Sequence, residues 1–404
     1  MNCIIAQSGG PTSVINSSVY GVVKENFNLK IYDNVYGGLN VIEGILEKRI
    51  INLSSMDLER LETFKNSPSS GLGSCRYKLK DFNNTEEEYI KLMNILKELK
   101  ISTFFYVGGN DSMDTTAKLS TYAKLKNIDI KFIGIPKTID NDLKFTDHTP
   151  GFGSAGRFIS TSVLESYLDS KVYSNNGIFI LEAMGRDTGW LASTAALANI
   201  NGKGCADLIY LPEVAFSKEK FLKDVKRLFK ENNHVYIVAS EGIRDDNGSF
   251  IAETESSTHD NFGHAQLGGV SSYLRNLIIN AGITTRVKSL ELGVLQRCAM
   301  HCCSKVDLLE AEMVGRDALN YSKDCESGLM VGIKRLDSSN YKSESFLIDA
   351  KKVANNVKYF PTHWINEEGN GITQEAIAYL APLINDSSMK NDETHLPNYD
   401  SFAI

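Results

Sequence analysis

Short apolar runs alternate along this chain with longer stretches whose apolar positions recur at helical spacing, the pattern of strands interleaved with helices. Cys3–Ala6 predicts a first strand, and after the turn Ser8-Gly9-Gly10-Pro11-Thr12 an apolar-periodic helix runs over Val14–Val23. Thr103–Val107 and Phe132–Ile135 predict two further strands with a polar helix between them. Glu86–Lys100 predicts an amphipathic helix whose stripe of Tyr89, Leu92, Met93, Leu96 and Leu99 belongs to a core. Gly177–Leu181, Asp207–Leu211 and Val235–Ala239 repeat the strand pattern, and Phe158–Tyr167, Trp190–Ala198, Gly269–Ala281 and Gln374–Leu383 the helical one. Tyr36–Asn40, Ser69–Arg76, Thr149–Arg157 and Gly248–Gly268 read as loops, and beyond Asn385 the chain turns polar and is expected to fray. This alternation predicts an α/β architecture with mostly parallel sheets.

The parallel reading gives the loops meaning, because open α/β sheets bind ligands at the carboxyl ends of their strands. The strand at Thr103–Val107 breaks at Gly108-Gly109 into Asn110, Asp111 and Ser112, and the strand at Phe132–Ile135 breaks into Pro136, Lys137, Thr138, Ile139, Asp140, Asn141 and Asp142. Two acid-bearing loops are thereby expected to face one crevice. Gly9-Gly10 lies between a strand and a helix, where backbone N–H groups and the positive helix end suit a phosphate, though a plain turn has the same composition. Ser69–Arg76 ends a small-residue loop in a cation, and Arg286 and Arg297 flank a Leu-Gly turn, so each could reach an anion or simply be solvated.

Composition narrows the class. With 404 residues, 42% hydrophobic and 23% charged, the chain can bury more than one core, and no apolar run is long enough for a membrane span. A net charge of −7 argues against a nucleic-acid surface. Met1–Gln7 begins as a strand with no export signal, and seven scattered cysteines fit reduced thiols, so a cytoplasmic location is expected. His301, Cys302 and Cys303 stand too close together for a usual zinc set and are assigned to packing.

Asp140 and Asp142 stand two apart, so one carboxylate can take a proton from an alcohol while hard oxygen ligands organise Mg²⁺ on a phosphate. With glycine turns and separated arginines, the favoured reaction class is phosphoryl transfer to a sugar hydroxyl.

The ordered set SGGPTSVIN, GLGSCR, GGNDS, PKTIDND, EAMGR, SEG and LGVLQR resembles the phosphofructokinase family over about Cys3 to Arg335. Asp111 and Lys137 resemble its diphosphate-dependent branch, since ATP-dependent relatives usually carry glycine at both positions. The resemblance implies two Rossmann-like three-layer lobes: residues 1–145 with about 298–320 for diphosphate, residues 146–297 for fructose 6-phosphate, and residues 321–404 as an extension packing on both. It implies reversible, glycolytic transfer from diphosphate to the 1-hydroxyl of fructose 6-phosphate, Mg²⁺ as cofactor, and a homodimer or homotetramer.

Position by position, the resemblance makes Asp140 the base, supported by Thr138, with Lys137 and Arg76 neutralising the moving group. Gly10, Asp111, Ser112 and Lys137 belong to the diphosphate site and Asn110 and Asp142 to the metal. Thr138, Ile139, Asp140, Met184, Gly185, Arg186, Glu241, Arg286, Val294 and Arg297 are placed around the sugar phosphate. A carboxylate at 111 also repels a nucleotide's α-phosphate. Two unit charges about 4 Å apart interact by about 4 kcal/mol at an effective dielectric of 20, on the order of a thousandfold in affinity.

Three positions depart from the family pattern. Asn110 stands where a metal-binding aspartate is usual, Val294 where bacterial ATP enzymes have histidine, and Gly177 where they have a cross-subunit arginine. Arg157, Lys288 or a partner residue is then a substitute for the 6-phosphate. The competing readings are an ATP-dependent enzyme, a weakly catalytic regulatory subunit, and, from the Gly-Gly-Asn-Asp loop alone, a NAD kinase.

Overall fold

A computed structural model describes residues 1–75, 77, 79–172, 177–252, 269–337 and 340–385. In chain order its strands are β1 (Asn2–Gln7), β2 (Val35–Gly38), β3 (Ile50–Asn52), β4 (Ile101–Gly108), β5 (Lys131–Pro136), β6 (Ile178–Ala183), β7 (Asn199–Ile200) and β8 (Lys203–Gly204). They continue with β9 (Leu208–Tyr210), β10 (Val235–Ser240), β11 (Val287–Glu291), β12 (Leu329–Arg335) and β13 (Ser343–Asp349). The described chain divides into two compact units, the first Met1–Ser154 with Arg297–Val357 and the second Ala155–Gln296 with Lys358–Asn385.

The first unit is built on a seven-stranded sheet of order β13-β12-β5-β4-β1-β2-β3, parallel from β2 through β12 and antiparallel at both edges. Its central strands are apolar on both faces, as a sheet covered on two sides requires. Cys3 and Ile5 of β1, and Phe105 and Val107 of β4, enter one core against the helices Ile15–Leu29 and Lys305–Tyr321. Ile4 and Ala6, and Phe104 and Tyr106, enter the other against the helices Glu87–Glu98 and Asn110–Leu125. Residues 329–349, expected in an extension packing on both lobes, supply β12 and β13 of this sheet.

The helices Ile15–Leu29 and Lys305–Tyr321 meet backbone to backbone. A Cβ on Gly21 would stand 2.2 Å from the Glu312 carbonyl oxygen, and one on Gly315 2.0 Å from that of Ser18. Only glycine permits this approach. It fixes the helix that carries Asp307 against the helix that follows the Gly9-Gly10 turn.

The second unit holds a four-stranded parallel sheet of order β11-β6-β10-β9. One face packs Ile178, Ile180 and Ile237 against Phe221 and Val225 of the helix Lys218–Asn232 and Leu274 and Ile278 of the helix Val270–Asn280. On the other, Phe179 and Tyr236 stack with centroids 5.1 Å apart, and Tyr236 meets Tyr167 of the helix Phe152–Ser170.

Several elements differ from expectation for local reasons. Tyr36–Asn40, read as a loop, contributes to β2, whose Gly37 and Gly38 leave room for Leu72 and Ile45 side chains. The helix read as starting at Phe158 begins at Phe152, its glycine-rich first turns allowing close packing: a Cβ on Gly156 would lie 2.8 Å from Thr194. The segment Trp190–Ala198, read as one helix, is an α-turn at Trp190–Ser193 followed by a 3₁₀ turn at Thr194–Leu197. Most of Gly248–Gly268 and everything after Asn385 lies outside the described residues.

Candidate active site

In the first unit the loops at the carboxyl ends of β1, β4 and β5 converge. Gly9 takes φ +76°, a left-handed backbone, and the cations of Lys137 and Arg297 close on the turn. A Cβ on Gly9 would lie 3.2 Å from Lys137 Nζ, and one on Gly10 3.2 Å from Arg297 Nη1. Lys137 is 3% exposed and donates from Nζ to the Gly10 carbonyl at 2.7 Å. Burial pushes its ammonium down to about 8, opposed by the charges of Asp140 and Asp142 and aided by that of Arg297. Among the described residues the Nε–H of Arg297 is buried without an acceptor. Two cations against a glycine turn make a cradle for an anion.

The base turn is held from several directions. Lys137 N–H donates to the Gly108 carbonyl at 2.9 Å, Thr138 N–H to Pro150 O at 3.2 Å, and Thr149 Oγ1 to Thr138 O at 2.9 Å. Asp140 N–H donates to Thr138 Oγ1 at 3.1 Å, and Asn141 turns the chain at φ 52°. Asp140 and Asp142 are half-buried either side of the fully buried Asn141 and Ile139 is buried beneath them.

The third loop caps β4. Asn110, Asp111 and Ser112 open the helix Asn110–Leu125, with Asp111 exposed in its first turn and Ser112 Oγ over Gly108, 1.9 Å from where a Cβ would stand. Asn110 has another task as well: its Oδ1 accepts the Asn355 N–H at 2.5 Å and its Nδ2 donates to Asn356 O at 2.7 Å. An aspartate could accept the first bond but not donate the second. This is a local reason for asparagine where the family pattern has a charge.

Arg76 lies outside the described residues, but the loop leading to it is tied to the glycine turn. Ser74 Oγ donates to the Gly9 carbonyl at 2.7 Å, and Gly71 and Leu72 N–H groups donate to Asn16 Oδ1 and Gln7 Oε1, both at 2.9 Å.

In the second unit Met184, Gly185 and Arg186 follow β6 and Glu241 follows β10, both at strand carboxyl ends. Gly185 takes φ +131°, its N–H donates to Glu241 Oε1 at 3.3 Å, and its carbonyl accepts from Ser240 Oγ at 2.5 Å. The buried Gln296, which sequence reading treated only as part of LGVLQR, links this turn to the next one. Its Oε1 accepts the Met184 N–H at 3.0 Å and its Nε2 donates to Gly293 O at 3.0 Å, beside the exposed Val294.

Arg286 stands apart. It precedes β11, which runs parallel to β6 with Val287 beside Ile178, so it lies at the amino end of the sheet, away from Met184–Arg186. Its carbonyl accepts the Ile178 N–H at 2.9 Å, and a Cβ on Gly177 would be 2.3 Å from that oxygen. Gly177 is therefore set by strand pairing, which leaves no room for an arginine. Of the substitutes considered, Arg157 donates to Ile384 O at 2.9 Å and Lys288 pairs with Asp169 at 3.7 Å.

The pattern described as Phosphofructokinase matches residues 2–320. The chain belongs to the phosphofructokinase family. Within the family, the chain is 38% identical over 403 residues to the pyrophosphate–fructose 6-phosphate 1-phosphotransferase of Xanthomonas campestris pv. campestris, covering 99% of this chain and 96% of that one. It is 37% identical over 411 residues to the enzyme of the same name from Halomonas elongata, covering 100% and 96%. The pyrophosphate-dependent phosphofructokinase of Marinobacter aquaeolei superposes with a TM-score of 0.88 at 34% identity, covering 98% of this chain and 95% of that structure. The α/β fold with mostly parallel sheets is thus that of a phosphofructokinase.

His301, Cys302 and Cys303 do not gather a ligand set: among the described residues no three His, Cys, Asp or Glu side chains group to hold a metal. Cys303 packs with Val14, Met300, Leu308 and Ala311.

Proposed function

We propose that this phosphofructokinase transfers a phosphoryl group reversibly from diphosphate to the 1-hydroxyl of fructose 6-phosphate, giving fructose 1,6-bisphosphate and phosphate in glycolysis. The observation that carries the reading is Lys137, a buried ammonium bonded to the Gly10 carbonyl at 2.7 Å beside a glycine turn. With Asp111 exposed at the neighbouring loop, it makes a pocket suited to a compact anion and hostile to a nucleotide's α-phosphate.

In the forward direction the 1-hydroxyl oxygen attacks the transferring phosphorus, its bond to the departing phosphate breaks, and Asp140 takes the hydroxyl proton. Thr138 orients Asp140 by accepting its N–H. Gly10, Lys137 and Ser112 hold the diphosphate with Arg76, and Met184, Gly185, Arg186, Glu241 and Val294 hold the sugar, with Ile139 shaping the turn. The first unit takes the donor and the second the sugar. Arg286, exposed at the amino end of its sheet, serves a second copy of the chain in a homodimer or homotetramer.

Magnesium would be held here by few protein groups, in keeping with a hard cation that takes oxygen ligands. Asp142 would offer it a carboxylate and Asn110 an amide already engaged by backbone on both sides, which leaves the role of base to Asp140. When bound, Mg²⁺ neutralises diphosphate charge. Among the described residues no helix is long and apolar enough to cross a membrane. The free thiols of Cys3, Cys75, Cys205 and Cys325 fit the cytoplasm.

The test is purified protein with fructose 6-phosphate and Mg²⁺, given diphosphate or ATP separately. Turnover with diphosphate is expected; turnover with ATP alone overturns the reading.

A further inference from the structure

We infer that Asp307 is a positioning residue for the reaction, fixing through Gly151 the turn that carries Thr138 and Asp140; this rests on the proposed function. Asp307 is 2% exposed on the helix Lys305–Tyr321, far in sequence from either loop. Its Oδ1 accepts the Gly151 N–H at 2.8 Å, and its Oδ2 accepts the Ser154 N–H at 2.9 Å and the Ser154 hydroxyl at 2.5 Å. Three donors from one tight turn thus converge on one carboxylate.

Gly151 is where that anchoring reaches the catalytic loops. Its φ of +112° is reserved for glycine, and it forms a parallel bridge with Thr138. A Cβ there would stand 2.7 Å from Thr12 Cγ2 and 3.2 Å from Thr138 O, so Gly151 is wedged between the loop after Gly10 and the base turn. Thr149 Oγ1 and Pro150 O complete the splice onto Thr138. Thr138 Oγ1 in turn holds the Asp140 N–H. The chain of contacts runs from Asp307 to Gly151, to Thr138, to Asp140.

The platform is rigid. Ser304 caps its helix by accepting the Asp307 N–H at 3.4 Å, and Ser304 N–H donates to Ser154 Oγ at 3.2 Å. The Gly21–Gly315 crossing fixes the helix against the one that follows the glycine turn. Burial raises the Asp307 carboxyl to about 6, a rise that its three donors resist and Glu310 adds to. A group held in so costly a place and fully engaged is a structural choice rather than a solvated accident.

Because the reacting groups themselves are untouched, disturbing this anchor should misplace Asp140 without removing a substrate contact. Asp307→Asn, which turns one acceptor oxygen into a donor facing N–H groups, is expected to lower kcat about 10- to 100-fold, with KM for both substrates within about threefold of wild type. Thr149→Val removes only the Thr149–Thr138 bond and should show the same split more weakly, about 3- to 10-fold in kcat. Since both act on one turn, the double variant should lose less than the product of the single losses. Wild-type turnover with diphosphate is measured alongside and reports on the function itself. A KM effect with kcat intact, multiplicative losses, or Thr149→Val indistinguishable from wild type each overturns the role of Asp307. If Asp307→Asn does not fold, Ser154→Ala, which removes the hydroxyl donor to the Asp307 carboxylate, takes its place: a weaker fall in kcat at unchanged KM is expected, and wild-type kcat overturns the role of Asp307.

Discussion

Lys137 and Gly10 are joined by a 2.7 Å hydrogen bond from the lysine ammonium to the glycine carbonyl, which ties the end of β5 to the turn after β1. The lysine is buried and its Nζ lies 3.2 Å from where a Cβ on Gly9 would stand, so its charge is delivered to one place. Lys137→Met keeps the bulk and removes the charge. It should lower kcat with diphosphate on the order of a hundredfold or more, as loss of a preorganised charge does in a dry site. Asp111→Gly with Lys137→Gly should raise ATP use relative to diphosphate. Steady-state rates with each donor check both, and unchanged donor preference in the double variant would remove the charge argument.

Arg297 was expected at the sugar 6-phosphate, and the structure lays its guanidinium on Gly10, with a buried Nε–H that has no acceptor among the described residues. Arg297→Met should therefore raise KM for diphosphate about 10- to 100-fold, the size of a charge-assisted hydrogen bond, and KM for fructose 6-phosphate less. The opposite split returns Arg297 to the sugar.

Gly315 gives a stability test remote from the chemistry. A methyl there meets the Ser18 carbonyl at 2.0 Å, against backbone that cannot rotate away. Gly315→Ala should cost about 1–3 kcal/mol, the usual penalty of overpacking, against the small gain in helix propensity that an exposed glycine-to-alanine change brings. The melting temperature should fall by several degrees. Because the displaced helix carries Asp307, kcat should fall with it.

How much of this was legible in the chain follows from which signals are local. β1, β4, β5, β6 and β10 are buried on both faces, so their apolar runs announced them. β2 ends in glycines that read as a turn, and β11 exposes all but its first residue, so neither carries a buried strand's pattern. The loops around Gly10, Asn110 and Asp140 were readable because turn residues and acids cluster within a few positions. Asp307 was not, because its partners Gly151 and Ser154 lie on a segment brought to it only by folding. Gln296 likewise looks like any polar residue in a helical turn until Met184 is seen to donate to it. Gly177 and Asn110 appeared as departures from a pattern; strand pairing at Arg286 and the backbone at 355–356 supply their reasons.

His148 links stability to pH. Its ring bridges Asp147 at 2.8 Å and Glu310 at 2.6 Å, while Tyr341 and Ser343 hydroxyls donate to the other Glu310 oxygen at 2.5 and 2.6 Å. Burial alone would lower the imidazolium's pKa, but the Glu310 charge and the bonds to Asp147 and Glu310 outweigh it and hold it at about 9, against an ordinary 6.5. A group whose folded pKa is raised stabilises fully below its unfolded value and loses that contribution as pH climbs through the folded one. The stability from His148 should thus be whole below about pH 6.5 and decline between there and about 9, by roughly 2–3 kcal/mol. His148→Gln keeps a polar group near both carboxylates but cannot bind a proton. Chemical denaturation at pH 6 and pH 9 should show a smaller pH-dependent loss for the variant than for wild type. Equal losses in the two proteins would mean that His148 is not the group that titrates.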